Sequence, residues 1–450
     1  MKKHLINLFV PFLLVFVLLF CACQQDPTPA PEDEITFSSE IDVMLKSGTT
    51  TIRNVYRSDY FRDDACDFDR DLALLSFALA DSTSDDNAVN FLSAMKFSNL
   101  EQHWNTADEA NRCSFVIGHR KVDNSDLIAV YIKGIRYSSE WAGNLTIGET
   151  GDHEGFRLAA MEVYIALKDY IAAYYPKKDL KIWITGYSRA AAVSNVVAFN
   201  IIDRKELKVK QSDLFVYAFE TPASISSDKA REYQCIHNIM TEADIVASVP
   251  PAAYGLSRVG TDHKMSSDPI KLNTCLHVFV DPTIKMPTFT PGDDYENPAE
   301  FLEYFLNLIM VAAPEEQPQA PSFESRSSYY STIQTRLAYL VEILMKDNRA
   351  GLGALMEFLT EKGYMQALTS WLFTDGQFYT DLKPLLDDKG IEYDDEKLET
   401  ACSLVSNLKD NANLISNAAS LLLAKDNVMY IINCHYPEVC YALLKGDMEI

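Results

Sequence analysis

The chain is poor in basic residues. Its 450 residues include 40 Lys and Arg but 64 Asp and Glu, which gives a formal net charge of −24 at pH 7. Binding to nucleic acid requires a basic patch that faces the phosphates, and no such patch is evident. The composition therefore argues against a nucleic acid partner. The content of 48% hydrophobic and 23% charged residues is ordinary for a globular protein with a real core.

The sequence also lacks the short motifs of metal, phosphate and dinucleotide sites. No C-x-x-C pair occurs, and Gly351-Leu352-Gly353 has neither the preceding strand nor the third glycine of a dinucleotide fingerprint. We therefore expect no metal and no cofactor. Beyond the first 23 residues the cysteines are odd in number, which favours buried free thiols over a disulfide framework. They are Cys66, Cys113, Cys235, Cys275, Cys402, Cys434 and Cys440.

The first 23 residues are typical of an export signal. Lys2 and Lys3 precede an apolar run, 5–20, which ends in L-F-C-A-C. This ending resembles a bacterial lipoprotein box, in which a cysteine after a small residue receives lipid. Cys23 follows Ala22 and is the better candidate for lipidation.

The alternative for this segment is a retained transmembrane anchor, although the run is short for a span. Residues 24–34 are polar and Pro-rich, which predicts a flexible tether. We expect an exported protein that is anchored by lipid to a bacterial membrane at the cell envelope. The oligomeric state cannot be read from the sequence.

A strand, a tight turn and a helix are predicted between Lys181 and Phe199. Residues 182–185 are β-branched or aromatic, and 189–202 is an apolar run without Gly or Pro. The turn G-Y-S-R-A places Ser188 between small residues, as in a nucleophile elbow. The alternative is an ordinary helix N-terminus with Ser188 near its cap.

Short apolar runs and helical patterns alternate through residues 113–251. The predicted strands are 113–118, 127–132, 182–185, 214–219 and 237–240, with a long helix that begins near His153. This alternation favours a mostly parallel sheet with helices on both faces. We assign residues 35–281 to this core.

Residues 282–426 differ from this core. Prolines bracket polar segments, and helical patterns follow without any strand-rich stretch between Asn297 and Asp426. We expect a mainly helical insertion, or cap, over the sheet edge; a free-standing helical domain is the alternative. Residues 427–450 then return to the core, and Val428 to Ile432 is predicted to be a strand.

Five short motifs occur in order over residues 133–250. They are K-G-I-R-Y-S-S-E-W, H-E-G-F, G-Y-S-R-A-A-A, F-E-T-P and D-I-V-A-S-V-P. This series resembles the class 3 lipase family of α/β-hydrolases, with its R-G-T-x-S-x-x-D-W, V-H-x-G-F, G-H-S-L-G-G-A, F-G-x-P and D-x-V-P-x-x-P. The resemblance implies an α/β-hydrolase fold and a serine hydrolase that cleaves carboxylic esters or lipids.

The resemblance implies that Ser188 is the nucleophile and Asp244 the acid of a catalytic triad. Nucleophilic catalysis by serine needs the same residue types, because a histidine must take the serine proton and a carboxylate must orient that histidine. A cap or turn role is the alternative for Asp244. The order of this fold places the histidine after Asp244. His435 is preferred because it follows the last strand-like run, and His263 and His277 remain alternatives.

The oxyanion donors implied by the resemblance are the backbone N–H groups of Arg189 and Ile135. Ile135 replaces the hydroxyl residue usual in the family, and one such donor contributes roughly 3 kcal/mol to transition-state stabilisation. His153 is interpreted as structural.

Two further hypotheses stay open. One is a weakly active or inactive binding protein on a hydrolase scaffold, which the altered oxyanion loop and the large helical insertion suggest. The other is an acyltransferase or peptidase that uses the same triad, because a fold does not fix the reaction.

Overall fold

The computed structural model describes residues 33–82, 85–106, 109–134, 140–175, 179–231, 233–250, 254–310, 338–344, 346–407, 420 and 423–446. Two strands of an antiparallel hairpin come first, β1 (Ile35–Val43) and β2 (Gly48–Tyr56). The sequence analysis did not resolve this hairpin. Its alternate residues are buried or half-buried, which attaches it to the main core.

Seven strands form the central sheet, in the spatial order β11-β9-β7-β6-β5-β4-β3. They are β3 (Ser98–His103), β4 (Phe115–Val122), β5 (Ser125–Ile132), β6 (Leu180–Tyr187), β7 (Leu214–Phe219), β9 (Ile236–Thr241) and β11 (Thr261–Met265). The pairs from β5 to β11 are parallel, and β3 and β4 are antiparallel at one edge. A small separate ladder pairs β8 (Ile225–Ser226) with β10 (Leu256–Ser257). The mostly parallel sheet agrees with the prediction.

Fourteen described helices accompany these strands. The first six are α1 (Arg70–Ala80), α2 (Asp85–Ala94), α3 (Glu140–Leu145), α4 (Glu154–Tyr174), α5 (Arg189–Arg204) and α6 (Pro269–Phe279). The next six are α7 (Pro298–Met310), α8 (Ala338–Leu344), α9 (Lys346–Lys362), α10 (Tyr364–Phe373), α11 (Gln377–Asp388) and α12 (Asp395–Asn407). The last two are α13 (Lys425–Asn433) and α14 (Pro437–Gly446). Short 3-10 turns occupy Met44–Lys46, Ser58–Phe61 and Gln211–Asp213.

Helices cover both faces of the sheet, as the alternating directions of the β6 side chains show. Trp183 is buried and donates from Nε1 to Ser76 Oγ of α1 at 2.9 Å, and Thr185 Oγ1 donates to the Ser76 carbonyl at 3.1 Å. Because successive side chains of a strand point to opposite faces, the residues between them face the other layer. That layer contains α4 and α5, which pack against each other. The arrangement is that of an α/β-hydrolase fold.

Helices α8 to α12 have a hydrophobic core of their own. Buried side chains from α8, α10, α11 and α12 form this cluster, with Trp371 and Phe378 in contact near its centre. Helix α8 packs against α3, which lies beside the candidate site. In contrast, α7 contributes Phe301 and Leu302 to the core of the sheet. Within the described residues from Asn297 to Asp426, every element is a helix, as the pattern predicts.

One predicted strand is wrong. Residues Val428 to Ile432 lie in helix α13 and not in a final strand of the core. The buried positions Asn427, Tyr430, Ile431 and Cys434 are spaced by three, one and three residues, which is the spacing of one helix face. A short apolar run alone does not separate a strand from a buried helix.

Candidate active site

Ser188 occupies the tight turn between β6 and α5. Its backbone has φ 58° and ψ −123°, a conformation that costs energy in a residue with a side chain. Its N–H donates to the Phe219 carbonyl of β7 at 2.8 Å, which ties the turn to the sheet. A Cβ at Gly186 would lie 2.6 Å from the carbonyl carbon and oxygen of Ala190. Only a glycine fits there, as the interpretation of this turn as a nucleophile elbow requires.

The structure brings Ser188, His435 and Asp244 into one hydrogen-bonded series. His435 Nε2 lies 2.9 Å from Ser188 Oγ, and His435 Nδ1 lies 2.7 Å from Asp244 Oδ2. With the proton on Nδ1, the imidazole donates to the carboxylate and accepts from the serine hydroxyl. This arrangement can withdraw a proton from Ser188 and stabilise the imidazolium that forms.

Asp244 lies in a turn just after β9. Its N–H donates to the Thr241 carbonyl at 3.0 Å, and its Oδ1 accepts from the Val246 N–H at 2.7 Å. The side chain is fully buried. Burial raises the pKa of Asp244 to about 7, although hydrogen bonds from Glu220 and two backbone N–H groups oppose that rise. One carboxylate oxygen is therefore fixed by backbone and the other faces His435.

His435 lies in the turn that joins α13 to α14. Its N–H donates to the Ile432 carbonyl at 3.1 Å, and its own carbonyl accepts from the Tyr187 hydroxyl at 2.9 Å. Tyr187 immediately precedes Ser188, so this bond connects the histidine backbone directly to the strand that carries the serine. The position of the imidazole is thus set by a helix turn on one side and by β6 on the other.

The other histidines considered from the sequence have different partners. His263 lies on β11, with Nε2 3.1 Å from His237 Nδ1, and His277 Nε2 lies 2.7 Å from the Ile284 carbonyl. His153 caps α4, where its Nδ1 accepts from the Phe156 N–H at 3.4 Å and its Nε2 lies 3.1 Å from the Asn144 carbonyl. The structural interpretation of His153 agrees with these contacts.

Arg189 is the first residue of α5, so its backbone N–H has no carbonyl of the same helix to bond. That leaves this N–H available as an oxyanion donor at the end of the elbow turn. The second expected donor, Ile135, lies outside the described residues, as does the expected lipidation site, Cys23.

The Arg189 side chain is buried, where the family motif has a leucine. Its guanidinium donates to Asn144 Oδ1 at 2.9 Å and to the carbonyls of Ala110 and Arg112 at 3.1 and 3.0 Å. Burial lowers its pKa, while the buried Glu140 carboxylate acts in the opposite direction. The side chain therefore links the start of α5 to α3 and to the residues that precede β4.

Glu220 is a polar residue of the site that the sequence analysis missed. It is fully buried next to Asp244 and has φ 49°, the left-handed region that favours glycine. The available signal was the motif F-E-T-P, in which glutamate stands where the resembled family has glycine. A charged residue in place of a conformationally required glycine marks a position to examine for function.

The described residues hold no group of three or more His, Cys, Asp or Glu side chains arranged to bind a metal. In the same part of the chain, no helix combines the length and apolar character that crossing a bilayer needs. The seven cysteines among the described residues form no disulfide, and all but Cys66 are buried.

Comparison with known proteins gives one family match. Residues 129–254 match the family model described as Lipase (class 3). This segment begins in β5 and includes Ser188 and Asp244, but ends before His435. No curated protein sequence matches the chain.

Solved lipase structures are similar to part of the chain. A deletion mutant of the Rhizomucor miehei lipase propeptide complex is 19% identical over 43% of this chain and 66% of that chain, with a TM-score of 0.34. Our chain thus spans just under two thirds of that structure. The mono- and diacylglycerol lipase from Aspergillus oryzae is 13% identical over 44% of this chain and 80% of that chain, with a TM-score of 0.31. At these values the similarity carries no functional conclusion.

The sheet and the elbow define an α/β-hydrolase fold, and residues 129–254 are similar to the class 3 lipases. The match covers β6, β7, β9, part of β5 and the serine turn, whereas β3, β4 and β11 of the sheet lie outside it. The helices from α8 to α12 lie outside it.

Proposed function

We propose that the protein is a serine hydrolase that cleaves carboxylic esters, with Ser188 as nucleophile, His435 as base and Asp244 as the acid of the triad. The observation that carries the proposal is the series from Ser188 Oγ through His435 to Asp244 at the elbow turn. A serine on an ordinary helix cap has no reason to face an imidazole that a buried carboxylate orients.

The reaction has two halves. His435 Nε2 takes the Ser188 proton while Oγ attacks the ester carbonyl carbon, and the negative oxygen that forms is stabilised by the N–H groups of Arg189 and Ile135. The bond to the leaving alkoxide breaks as His435 returns the proton to it, which releases the alcohol. Water then attacks the acyl-serine, with His435 again as base, and the carboxylic acid leaves.

A fluorophosphonate probe tests the nucleophile. The purified chain from about Glu32 should be labelled, and Ser188→Ala should abolish labelling without a change in melting temperature. An ester series of increasing acyl length then defines the substrate. Labelling that persists in Ser188→Ala would contradict the role of Ser188. A folded protein that neither reacts nor hydrolyses any ester would contradict the proposal and favour a binding protein. Transfer to added alcohols or amines in place of water would identify an acyltransferase.

We also propose that the chain is exported and anchored to the bacterial envelope through lipid on Cys23. Two lysines, an apolar run and a small residue before Cys23 support this proposal. A substrate of lipid type would then lie close to the anchored protein. Mass spectrometry of the mature N-terminus from membranes should find a lipidated Cys23. Retention of an unprocessed N-terminus, or no change in membrane association on Cys23→Ala, would contradict it.

A further inference from the structure

Two carboxyl groups are buried side by side behind His435. Both Glu220 and Asp244 are fully buried, and their side chains lie within hydrogen-bonding reach of each other. Two adjacent carboxyl groups that are both fully buried strongly disfavour carrying two charges, because their repulsion adds to the cost of burying each one. The pair must therefore hold one proton between them in the working state.

The contact with His435 decides which group keeps that proton. Asp244 accepts from His435 Nδ1 and from the Val246 and Ala247 N–H groups. Glu220 accepts from the Thr241 N–H at 3.0 and 3.1 Å, from the Thr241 hydroxyl at 2.9 Å and from the Cys440 thiol. Asp244 also faces the imidazolium that forms during the reaction, so the negative charge belongs on Asp244 and the proton on Glu220.

The remaining ionisable groups around the pair agree with this assignment. Burial, reinforced by Asp244, raises the pKa of Glu220 well above its ordinary value. Burial likewise raises the pKa values of the phenol and thiols that face the pair, so these groups are neutral at pH 7. The groups that face the carboxyl pair are Tyr187 on β6, Cys434 and His435 in the α13–α14 turn, and Cys440 on α14. Arg258 faces Asp244 only. Asp81 faces Tyr187 and Cys440.

We propose that Glu220 is a positioning residue of the triad: its protonated carboxyl donates to Asp244 and holds that carboxylate in the orientation that His435 requires. The strained backbone at Glu220 supports a role beyond packing, since a glycine would adopt φ 49° without cost. This inference rests on the proposed hydrolase function, because it assigns Glu220 a part in the same triad.

Two substitutions separate donation from packing. Glu220→Gly relieves the backbone but removes the donor, so kcat should fall about tenfold to a hundredfold with KM little changed. Without the donor the Asp244–His435 pair binds a proton more tightly, and the acidic limb of kcat/KM should move to higher pH. Glu220→Gln keeps an N–H donor and an acceptor, so kcat near pH 7 should stay within about threefold of the wild type.

The glutamine variant also gives a test of its own. In the wild type, Glu220 loses its proton at high pH and then repels Asp244, so kcat should fall there; Glu220→Gln cannot lose a proton and should keep its activity further into alkaline pH. This comparison tests the proposal even if the glycine variant does not fold. Wild-type kcat and pH limbs in both variants, or equal losses in both, would overturn the proposal.

A readout without turnover distinguishes failure of this inference from failure of the proposed function. The Nδ1 proton of His435 bonded to Asp244 should give a low-field proton NMR resonance in the wild type and in Glu220→Gln, and it should weaken or shift in Glu220→Gly. If the wild type cleaves no ester but the resonance responds in this way, the hydrolase proposal fails and the positioning role stands. An unchanged resonance in Glu220→Gly would overturn the positioning role.

Discussion

The side of the site that carries the proposed nucleophile (the nucleophile side) is formed by β6, Ser188 and α5 and comes from the continuous segment 180–204. The side that carries the proposed base (the base side) combines Asp244, Glu220 and the turn at His435. The nucleophile side is built mainly from small and apolar residues whose backbones approach closely, with the buried Arg189 as a charged exception. The base side buries carboxyl groups that must be neutralised or hydrogen-bonded. Local geometry therefore determines where the nucleophile lies, while long-range packing and electrostatics determine whether it can be activated.

The largest expected effect comes from removing the base. His435→Ala should lower kcat/KM at least about a thousandfold, since the serine loses its proton acceptor while binding contacts remain. Ester hydrolysis and the rate of fluorophosphonate labelling measure it, and an unchanged melting temperature is the control. Activity close to wild type would show that the base side has no catalytic part.

A change on the nucleophile side should reduce stability. Arg189→Leu introduces the family residue but leaves Glu140 buried without the guanidinium charge, so the free energy of unfolding should fall by about 3 to 5 kcal/mol. Urea unfolding measures the loss. Arg189→Leu with Glu140→Gln should recover much of it, and Arg204→Leu at the exposed end of α5 is the matched control. Equal losses in the single and double variants would contradict this account of the buried pair.

A buried acid near the base side should make stability depend on pH. Glu438 on α14 is fully buried, its Oε1 accepts from the Leu45 N–H at 2.7 Å, and burial raises its pKa to about 7. Because the folded pKa is higher than the unfolded one, the folded state binds the proton more tightly. The stability that this provides is complete below the unfolded pKa and is lost as pH rises through about 7.

Glu438→Gln removes this titration. The stability of the variant relative to the wild type should therefore be greater at pH 8 than at pH 4, by about 1 to 3 kcal/mol. Denaturant unfolding at the two pH values measures the difference, and the exposed Glu399→Gln should show none. A parallel pH dependence in wild type and Glu438→Gln would contradict the assignment.

The smallest effect is expected at the alternative histidine. His263→Asn should leave kcat/KM within about twofold of the wild type, because His263 bonds to His237 and lies outside the Ser188–His435–Asp244 series. Ester hydrolysis at pH 7 checks it beside His435→Ala. A loss comparable to that of His435→Ala would place the base on β11 and reverse the comparison between the two histidines.

The sequence revealed the nucleophile side more readily than the base side. The elbow was predictable because Gly186, Ser188 and Ala190 meet a local steric demand within one turn. His435 could be chosen only by its order after Asp244 and its place after an apolar run, and that run was misread because the five residues 428–432 fit a strand or a buried helix. Glu220 was missed because its meaning depends on Asp244, which lies on another loop.

The separation between Ser188 and His435 has a consequence in time. Their hydrogen bond spans 247 positions, with all of helices α5 to α13 between them. As the chain folds, the elbow can form before the segment with His435 packs against β6, and a serine without a base is a weak nucleophile. Ser188 is therefore inert until this long-range contact closes. The proposed hydrolytic activity would thus arise late in folding.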